Sequence, residues 1–355
     1  MANYREEFQK LLESLYIPTF GDVKKIEKDI NAFLGNVFQH VPVKLYRYRI
    51  CNQNNIRSVR EGTICVCNAN RFSDKYDSRV YVDRDRIDKE LTNSLKSGIY
   101  DLLIIEIKNR NPNLKQEIAS KVCHLIECGL SDQEIVDKII DEDYADFIKE
   151  QVESMKKREV RFRNNENTTK LACFTESVQS KFMWDFYAEG YTGFALEYNL
   201  KELIFKSSRN SNSFLHVFPV IYTDRMPDVT NEESIEYFRE ISLKEDWIKN
   251  LATYYHSIPQ NTLHFLKPYL YKDKAEYSHE KEWRMIYSDD NKEDFSLIPD
   301  MNCLKAIYYG PDISSENKSK LHEIAKARGI AEYNVAFDLD SRNYNLKLER
   351  EIIVD

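Results

Sequence analysis

The sequence predicts an α+β fold: a mixed β-sheet core around a cleft, with N-terminal helices and large helical insertions. Apolar residues recur at helical spacing in residues 4–15 and 22–38, whereas several shorter segments alternate or run apolar, which is typical of strands. The two kinds of segment do not alternate with the regular rhythm of a doubly wound sheet. A chain of 355 residues is long enough to bury a large core of this kind.

The order of these segments predicts a helical beginning followed by one large domain. Residues 1–42 form an N-terminal helical segment, whose helices are candidates for forming an oligomer. Residues 43–355 form a single composite α+β domain with helical insertions at about 84–160 and 225–272, because no linker rich in Pro, Gly or Ser divides them. The main predicted strands are 43–50, 63–67, 170–175, 193–198, 216–223, 282–288 and 304–310.

Charge and hydropathy limit the function classes. With 51 Lys and Arg against 59 Asp and Glu, the net charge is −8. This charge argues against a protein that coats nucleic acid, although the basic segment 156–163 is a candidate for a local basic groove. No apolar run approaches the roughly 20 residues that cross a bilayer, and the start of the chain lacks the apolar stretch of a signal peptide. We therefore expect a cytoplasmic protein without membrane contact.

Several common site motifs are missing from the sequence. None of the glycine-rich loops that bind phosphate is present, so neither a P-loop nor a Rossmann fingerprint is predicted. Cys123, His124 and Cys128 lack the spacing of a zinc site, and the seven cysteines are scattered. We expect buried free thiols and no bound metal.

The first candidate site patch lies on the strand at 43–50. Alternation on a strand places Arg47 and Arg49 on one face and Tyr46 and Tyr48 on the other. Two arginines on one face indicate either an exposed sheet edge or a site for an anion, because the planar guanidinium binds phosphate through two hydrogen bonds.

The second patch follows the strand at 170–175. Thr175 and Ser177 lie at the strand end, where a hydroxyl is more often a helix N-cap than a reactive group. In the next helix, Trp184 and Tyr187 are one turn apart and share a face. Packing in the core is the simpler interpretation of these rings, and stacking on a ligand is the alternative.

The remaining two patches are acidic. Alternation along the strand at 282–288 is expected to place Glu280 and Glu282 on one face, where like charges repel unless they are paired or solvated. This pair indicates either a site or an ion-paired edge strand. The loop from Asn68 to Asp77 also carries Asp74, so a metal-binding site in this loop is an alternative to the expectation of no metal.

These patches, in this order, resemble a bacterial family known as domain of unknown function twenty-nine seventy-one. The resemblance covers about 43–312 and implies no particular activity. One departure is Lys75, which stands where the family usually has Pro. The matching segments are Leu45–Arg49, Asn70–Asp77, Cys173–Ser177, Met183–Ala188 with Gly193-Phe194, and Glu280–Arg284.

A more distant resemblance is to ADP-ribosyltransferases of the Arg/Ser/Glu class, which use NAD as a substrate. The similarity rests on an arginine in the first strand, a hydroxyl-bearing strand end and a Glu-x-Glu strand. It implies that Arg47 or Arg49 holds the pyrophosphate of NAD. It also implies that Thr175 and Ser177 hold the ribose next to the nicotinamide.

The same resemblance implies roles for the acidic and aromatic residues. Glu282 would bind the ribose 2′-hydroxyl and stabilise an oxocarbenium-like transition state. Glu280 would orient or deprotonate the acceptor. Trp184 or Tyr187 would stack on the nicotinamide.

The resemblance thus implies an NAD-dependent ADP-ribosyltransferase-like enzyme, acting as a toxin or phage-defence effector on an unknown protein or nucleic-acid acceptor. Two alternatives stay open at this point. One is an NAD glycohydrolase or a metal-dependent nuclease that uses the same carboxylates. The other is a binding or sensor module of a bacterial defence or toxin–antitoxin system, without catalysis, in which the glutamates form an ion-pair network with Arg284 or Arg49 and the chain acts with a partner protein.

Overall fold

The computed structural model describes residues 2–18, 21–109, 116–156, 169–207, 214–232, 261–289 and 293–350. The side chains of the basic segment 156–163 lie outside this description, as does the middle of the insertion predicted at 225–272. The chain divides into two compact units. The first consists of residues 1–79, 164–227 and 261–355, and the second of 80–163 and 228–260.

The helices of the first unit lie mainly at its N-terminus and around the strands. They begin where the sequence provides caps: the Asp22 carboxylate accepts from the backbone amides of Lys24 and Lys25, and the Ser180 hydroxyl accepts from that of Met183. The helices are α1 (Ala2–Ser14), α2 (Val23–His40), α3 (Gln53–Glu61), α8 (Lys181–Tyr187), α9 (Leu200–Ser207), α10 (Lys267–Leu270), α11 (Lys274–Tyr277) and α12 (Ser315–Arg328).

Among the described residues, all twelve strands belong to the first unit, and ten of them form one mixed sheet. Along its main path the order is β12-β11-β10-β4-β1-β3-β2-β9, with β8 paired to β3 and β5 paired to β8; β6 and β7 form a separate parallel pair. The strands are β1 (Leu45–Arg49), β2 (Thr63–Cys67), β3 (Thr169–Thr175), β4 (Phe194–Tyr198), β5 (Phe214–Pro219), β6 (Ile221–Thr223), β7 (Tyr271–Asp273), β8 (Glu282–Ser288), β9 (Phe295–Pro299), β10 (Leu304–Tyr309), β11 (Ala331–Phe337) and β12 (Leu346–Arg350).

The α+β class and the mixed sheet confirm the predicted fold class. Within the sheet, β10 and β11 are parallel and the other pairs are antiparallel. One strand prediction was wrong in detail: the segment 216–223 forms two strands, β5 and β6, in different sheets.

The sheet divides at β3, and this division creates the candidate site. On one side, β3 pairs with β8 along its whole length. On its other side, it pairs with β1 through Thr175 and Tyr46 and with β2 through Leu171 and Cys67. Because β1 and β2 meet β3 at opposite ends, a wedge opens between them.

The apolar faces of α1 and α2 are buried in the core of the first unit. Phe8 and Phe33 are almost fully buried, and the rings of both lie against Phe218 of β5. This burial stabilises each ring by roughly 1.5–3 kcal/mol through removal of apolar surface from water. The central apolar residues of these helices thus pack within this chain. A role of the helices in forming an oligomer stays a prediction.

The second unit contains the helices α4 (Arg84–Asn109), α5 (Gln116–Glu127), α6 (Asp132–Asp143) and α7 (Ala145–Lys156). Its core is purely aliphatic along α4 and α6, where Leu91, Leu95, Ile135 and Ile139 are nearly or fully buried. In the part of the chain that the structure describes, no helix is long and apolar enough to cross a membrane.

Candidate functional site

A cavity of about 400 Å³ opens in the wedge between β1 and β2. Its size is within the range of small-molecule sites, roughly 300–1,000 Å³. Its walls come from β1, β3, the loop after β2, the helix α8 and the segment leading into β8. The polar residues of its wall include Arg47, Arg49, Asp74, Asp77, Thr175, Tyr187, Lys272, Glu280 and Glu282.

Arg47 and Arg49 form the cationic side of this cavity. The Arg47 guanidinium donates a 2.9 Å hydrogen bond to the carbonyl of Cys65 and lies 5.6 Å from the Phe174 ring centre. The side chain of Arg49 has no hydrogen bond or ion pair to any residue that the structure describes. Burial and the neighbouring Arg47 lower the pKa of Arg49 to about 9. The two guanidinium groups therefore lie close together without a carboxylate to balance them.

The backbone at the end of β1 lies very close to the residue before β4, which is a glycine. Gly193 precedes β4 and lies beside the carbonyl of Arg49. A Cβ atom at this position would be 2.2 Å from that oxygen, which no packing allows. The close approach of the two backbones therefore requires glycine here.

Three acids and two cations form a buried cluster opposite the arginines. Glu282 binds Arg284 Nε at 2.7 Å through Oε1 and Lys272 Nζ at 3.1 Å through Oε2. Arg284, which is fully buried, also binds both oxygens of Asp77 at 2.8 and 2.5 Å. Lys272 bridges to the third acid, Glu280, at 2.8 Å.

The charges of this cluster stabilise one another. Burial alone would raise the pKa of Glu282, but the adjacent Arg284 and Lys272 lower it to about 2. Burial likewise works against a charged Lys272, yet the carboxylates of Glu282 and Glu280 raise its pKa above the usual value. Glu282 is therefore an anion at any physiological pH.

Glu280 lies in the cluster because of a turn, and not because of the strand alternation that the sequence predicted. The sequence pattern placed Glu280 and Glu282 on one face of a strand, but β8 begins at Glu282 and Glu280 ends a 3₁₀ turn. Between them, Lys281 has the left-handed conformation, with φ 47° and ψ 49°. This turn, rather than strand alternation, brings the two carboxylates to the same Lys272. A left-handed lysine is energetically unfavourable and is retained where the surroundings impose it.

Tyr187 connects helix α8 to the carboxylates. Its hydroxyl donates a 2.6 Å hydrogen bond to Glu280 Oε1, and the residue as a whole is 43% exposed. Burial of the hydroxyl and the negative charge of Glu280 raise the pKa of Tyr187 well above its usual range. Tyr187 is therefore a neutral hydrogen-bond donor at the cavity surface.

The other three sequence-predicted residues lie in different surroundings. Thr175 lines the cavity, and its hydroxyl donates to the carbonyl of Glu280 at 2.6 Å. Ser177 is not among the cavity-lining residues; its hydroxyl accepts from the backbone amide of Gln179. Trp184 is completely buried and donates from Nε1 to the carbonyl of Val178, so it exposes no ring face on which a ligand can stack.

Three supporting residues were missed by the sequence analysis. Lys272 lies on the short strand β7, where no pattern marks a lone lysine. Arg5 of α1 donates to the carbonyl of Glu282 at 2.8 Å and to Glu176 at 2.6 Å, which holds the start of β8 from behind the cavity. Tyr222 accepts from the backbone amide of Glu282 at 2.7 Å. The contacts of Arg5 and Tyr222 join segments far apart in the sequence, whereas Lys272 lies only 8 and 10 residues before the two glutamates that it binds.

The loop between β2 and the second unit contributes an ion pair rather than a preformed metal cluster. Both oxygens of Asp77 are bound by Arg284, and the Asp74 carboxylate accepts from the backbone amide of Tyr76. Over the described ranges, no group of three or more His, Cys, Asp or Glu side chains is arranged to hold a metal ion.

A family model described as "Protein of unknown function (DUF2971)" matches residues 183–285. The matched part contains Tyr187, Glu280, Glu282 and Arg284, and thus two of the four acidic residues that line the cavity. It does not reach β1 with its two arginines. Comparison with curated proteins and with solved structures found no match. The resemblance to this family is supported over that part of the chain, while the resemblance to ADP-ribosyltransferases stays a prediction.

Proposed function

We propose that this chain binds NAD in the cavity between β1 and β2 and breaks its nicotinamide–ribose bond, transferring ADP-ribose to an acceptor. The observation that carries the proposal is the arginine pair. Arg49 has no counter-ion in the described residues, and Arg47 beside it has only a carbonyl partner and a ring. An uncompensated pair of guanidinium groups in a cavity is costly in the absence of an anion. A pyrophosphate would supply the missing negative charge through charge-assisted hydrogen bonds.

The other residues of the cavity fit the remainder of NAD. Tyr187 is 43% exposed and lines the cavity, so its ring would stack on the planar nicotinamide. Thr175, at the end of β3, presents a hydroxyl next to the carboxylates. The permanent negative charge of Glu282 lies in a site largely screened from water, where it stabilises a developing positive charge more strongly than in solvent.

The proposed chemistry needs no oxidant or reductant. The C–N bond between nicotinamide and C1′ of the ribose breaks, and its electron pair leaves with the nicotinamide. Positive charge builds on the ribose ring and is stabilised by Glu282. An oxygen or nitrogen of the acceptor then bonds to C1′, and its proton passes to the Glu280 carboxylate, which Tyr187 holds by a hydrogen bond.

A second function is favoured by one observation, namely that both oxygens of Glu282 are already bound by Arg284 and Lys272. An anion paired in this way serves equally well as a structural part of a binding module. In that case, the arginine pair binds a phosphate-bearing ligand and no bond is broken. The toxin or defence role, the partner protein and the cytoplasmic location remain predictions under either function.

Release of nicotinamide from NAD, measured by liquid chromatography, distinguishes the two functions. We expect release by the wild type and a loss of about 100-fold or more in Glu282→Gln, since the charge acts mainly in the transition state. Glu276→Gln, at an exposed glutamate of α11, is the matched control and should retain full activity. Equal activity in all three proteins, or none in the wild type, would contradict the enzymatic proposal.

A further inference from the structure

A second cavity of about 210 Å³ shares the two arginines with the first. Arg47 and Arg49 line both cavities, so the two cavities adjoin at these side chains. The second cavity is formed by α3, β2, β4 and β9. Its other lining residues are Asn54, Asn55, Arg57, Ser58, Glu61, Thr63, Cys65, Leu196, Tyr198, Phe295 and Leu297.

The charge of this second cavity is positive. It contains three arginines and one glutamate, Glu61, which lies 4.0 Å from Arg57 on the exposed surface of α3. An exposed pair at this distance contributes little, so the Arg57 guanidinium remains available to another anion. The cavity therefore favours a ligand that carries more negative charge than one phosphate bridged by Arg47 and Arg49.

The uncharged residues of the cavity suit a planar polar group. Asn54 and Asn55 provide side-chain amides, which both donate and accept hydrogen bonds. Phe295 and Leu297, on β9, are each 45% exposed and offer apolar surface beside them. An exposed aromatic ring next to amides and cations is the combination on which proteins stack nucleic-acid bases.

We propose that the second cavity binds the adenylate half of a dinucleotide whose pyrophosphate lies between Arg47 and Arg49. This inference rests on the proposed function and extends it, because it assigns the adenylate half of the ligand to a separate cavity and to residues that the proposed function does not use. The nicotinamide riboside half occupies the first cavity, next to Glu282. Arg57 binds the adenosine-side phosphate, and Phe295 stacks on the base.

Isothermal titration calorimetry with ligands that contain one or both halves tests this assignment. The ligands are ADP-ribose, AMP, nicotinamide mononucleotide and inorganic pyrophosphate. In Arg57→Gln, we expect ADP-ribose and AMP to bind about tenfold more weakly, as for the loss of one charge-assisted hydrogen bond, with nicotinamide mononucleotide unchanged. Arg60→Gln is the matched control, because Arg60 is exposed on the same helix and lines neither cavity.

A second variant tests the base. Phe295→Ala should weaken AMP several-fold and leave pyrophosphate unchanged, since only AMP has a ring to stack. The assignment is overturned if Arg57→Gln binds ADP-ribose like the wild type, if nicotinamide mononucleotide weakens equally, or if Phe295→Ala affects neither ligand. Arg57 and Phe295 are exposed, and unfolding followed by tryptophan fluorescence verifies that both variants remain folded.

The outcomes separate this inference from the proposed function. Binding of ADP-ribose requires no bond cleavage, so it responds to Arg57→Gln even if the protein never releases nicotinamide. If Arg57→Gln binds ADP-ribose more weakly but the wild type never releases nicotinamide, the enzymatic proposal is wrong and the dinucleotide site is supported. Conversely, nicotinamide release with unchanged ADP-ribose affinity in Arg57→Gln would contradict the second cavity alone.

Discussion

Lys272 is the residue on which the acidic side of the cavity depends, and its replacement by methionine has a calculable effect. Its side chain is 7% exposed, and its ammonium group bridges Glu280 at 2.8 Å and Glu282 at 3.1 Å. Methionine has a similar length and no charge, so packing changes little. Without the ammonium group, Asp77 and Glu282 still bind Arg284, whereas the buried carboxylate of Glu280 loses its cation. Breaking a buried ion pair in this way costs about 3–5 kcal/mol of unfolding free energy.

The pH dependence of this loss identifies its cause. In the variant, two carboxylates face each other without their bridging cation, so at least one of them should take up a proton in the folded state more readily than in the wild type. Where the folded state binds more protons than the unfolded state, stability rises as pH falls. The difference between Lys272→Met and the wild type should therefore shrink between pH 7 and pH 5.

Urea unfolding followed by tryptophan fluorescence measures this effect, since two of the three tryptophans, Trp184 and Trp283, lie in the first unit. Lys274→Met, at an exposed lysine of α11, is the control and should unfold within about 0.5 kcal/mol of the wild type. The reasoning is refuted if Lys272→Met matches that control at pH 7, or if its deficit is the same at pH 5.

Three further predictions follow from the same contacts. In the wild type, the folded-state pKa of Glu282 is about 2 against an ordinary 4.5. This difference contributes about 3 kcal/mol to the unfolding free energy above pH 4.5, and the contribution is lost as pH falls toward 2. Acid unfolding of Glu282→Gln should lack this loss. Arg49→Met should weaken pyrophosphate binding by about tenfold without lowering unfolding free energy, because it removes a cation that lacks a counter-ion; equal affinity in calorimetry would contradict an anion site. Tyr187→Phe should lower nicotinamide release less than Glu282→Gln does, because it removes one hydrogen bond to Glu280 and keeps the ring for stacking; a loss as large as that of Glu282→Gln would assign Tyr187 a direct part in the chemistry.

Most of the fold could be predicted because its elements carry local signals. The apolar spacing in 4–15 and 22–38 matches α1 and α2, and Gly62 ends α3 in the left-handed conformation that glycine adopts readily. The strand β9 was missed, since its exposed residues are Phe295, Leu297 and Pro299, so that apolar residues do not mark its buried face. The division of the sheet at β3 could not be predicted from the sequence either, because it depends on which strands pair and not on the pattern of any one segment.

The residues of the site could be predicted from the sequence, but the contacts between their side chains could not. Sequence patterns identified Arg47, Arg49, Glu280 and Glu282, all of which line one cavity. Those patterns contain no information on the bridge from Lys272, because this ion pair depends on how the chain turns between residue 272 and the glutamates 8 and 10 residues later. The convergence of the two glutamates likewise depends on the left-handed Lys281, a conformation that no local preference of lysine predicts.

The central claim is that one cavity holds the pyrophosphate on Arg47 and Arg49 and the scissile bond beside Glu282. A crystal structure of Glu282→Gln soaked with NAD tests it most directly, since the variant should bind the dinucleotide and leave it intact. We predict pyrophosphate oxygens within about 3 Å of both guanidinium groups, with the nicotinamide-bearing ribose next to position 282. Density for NAD elsewhere on the protein, or none in this cavity at a saturating concentration, would contradict the account.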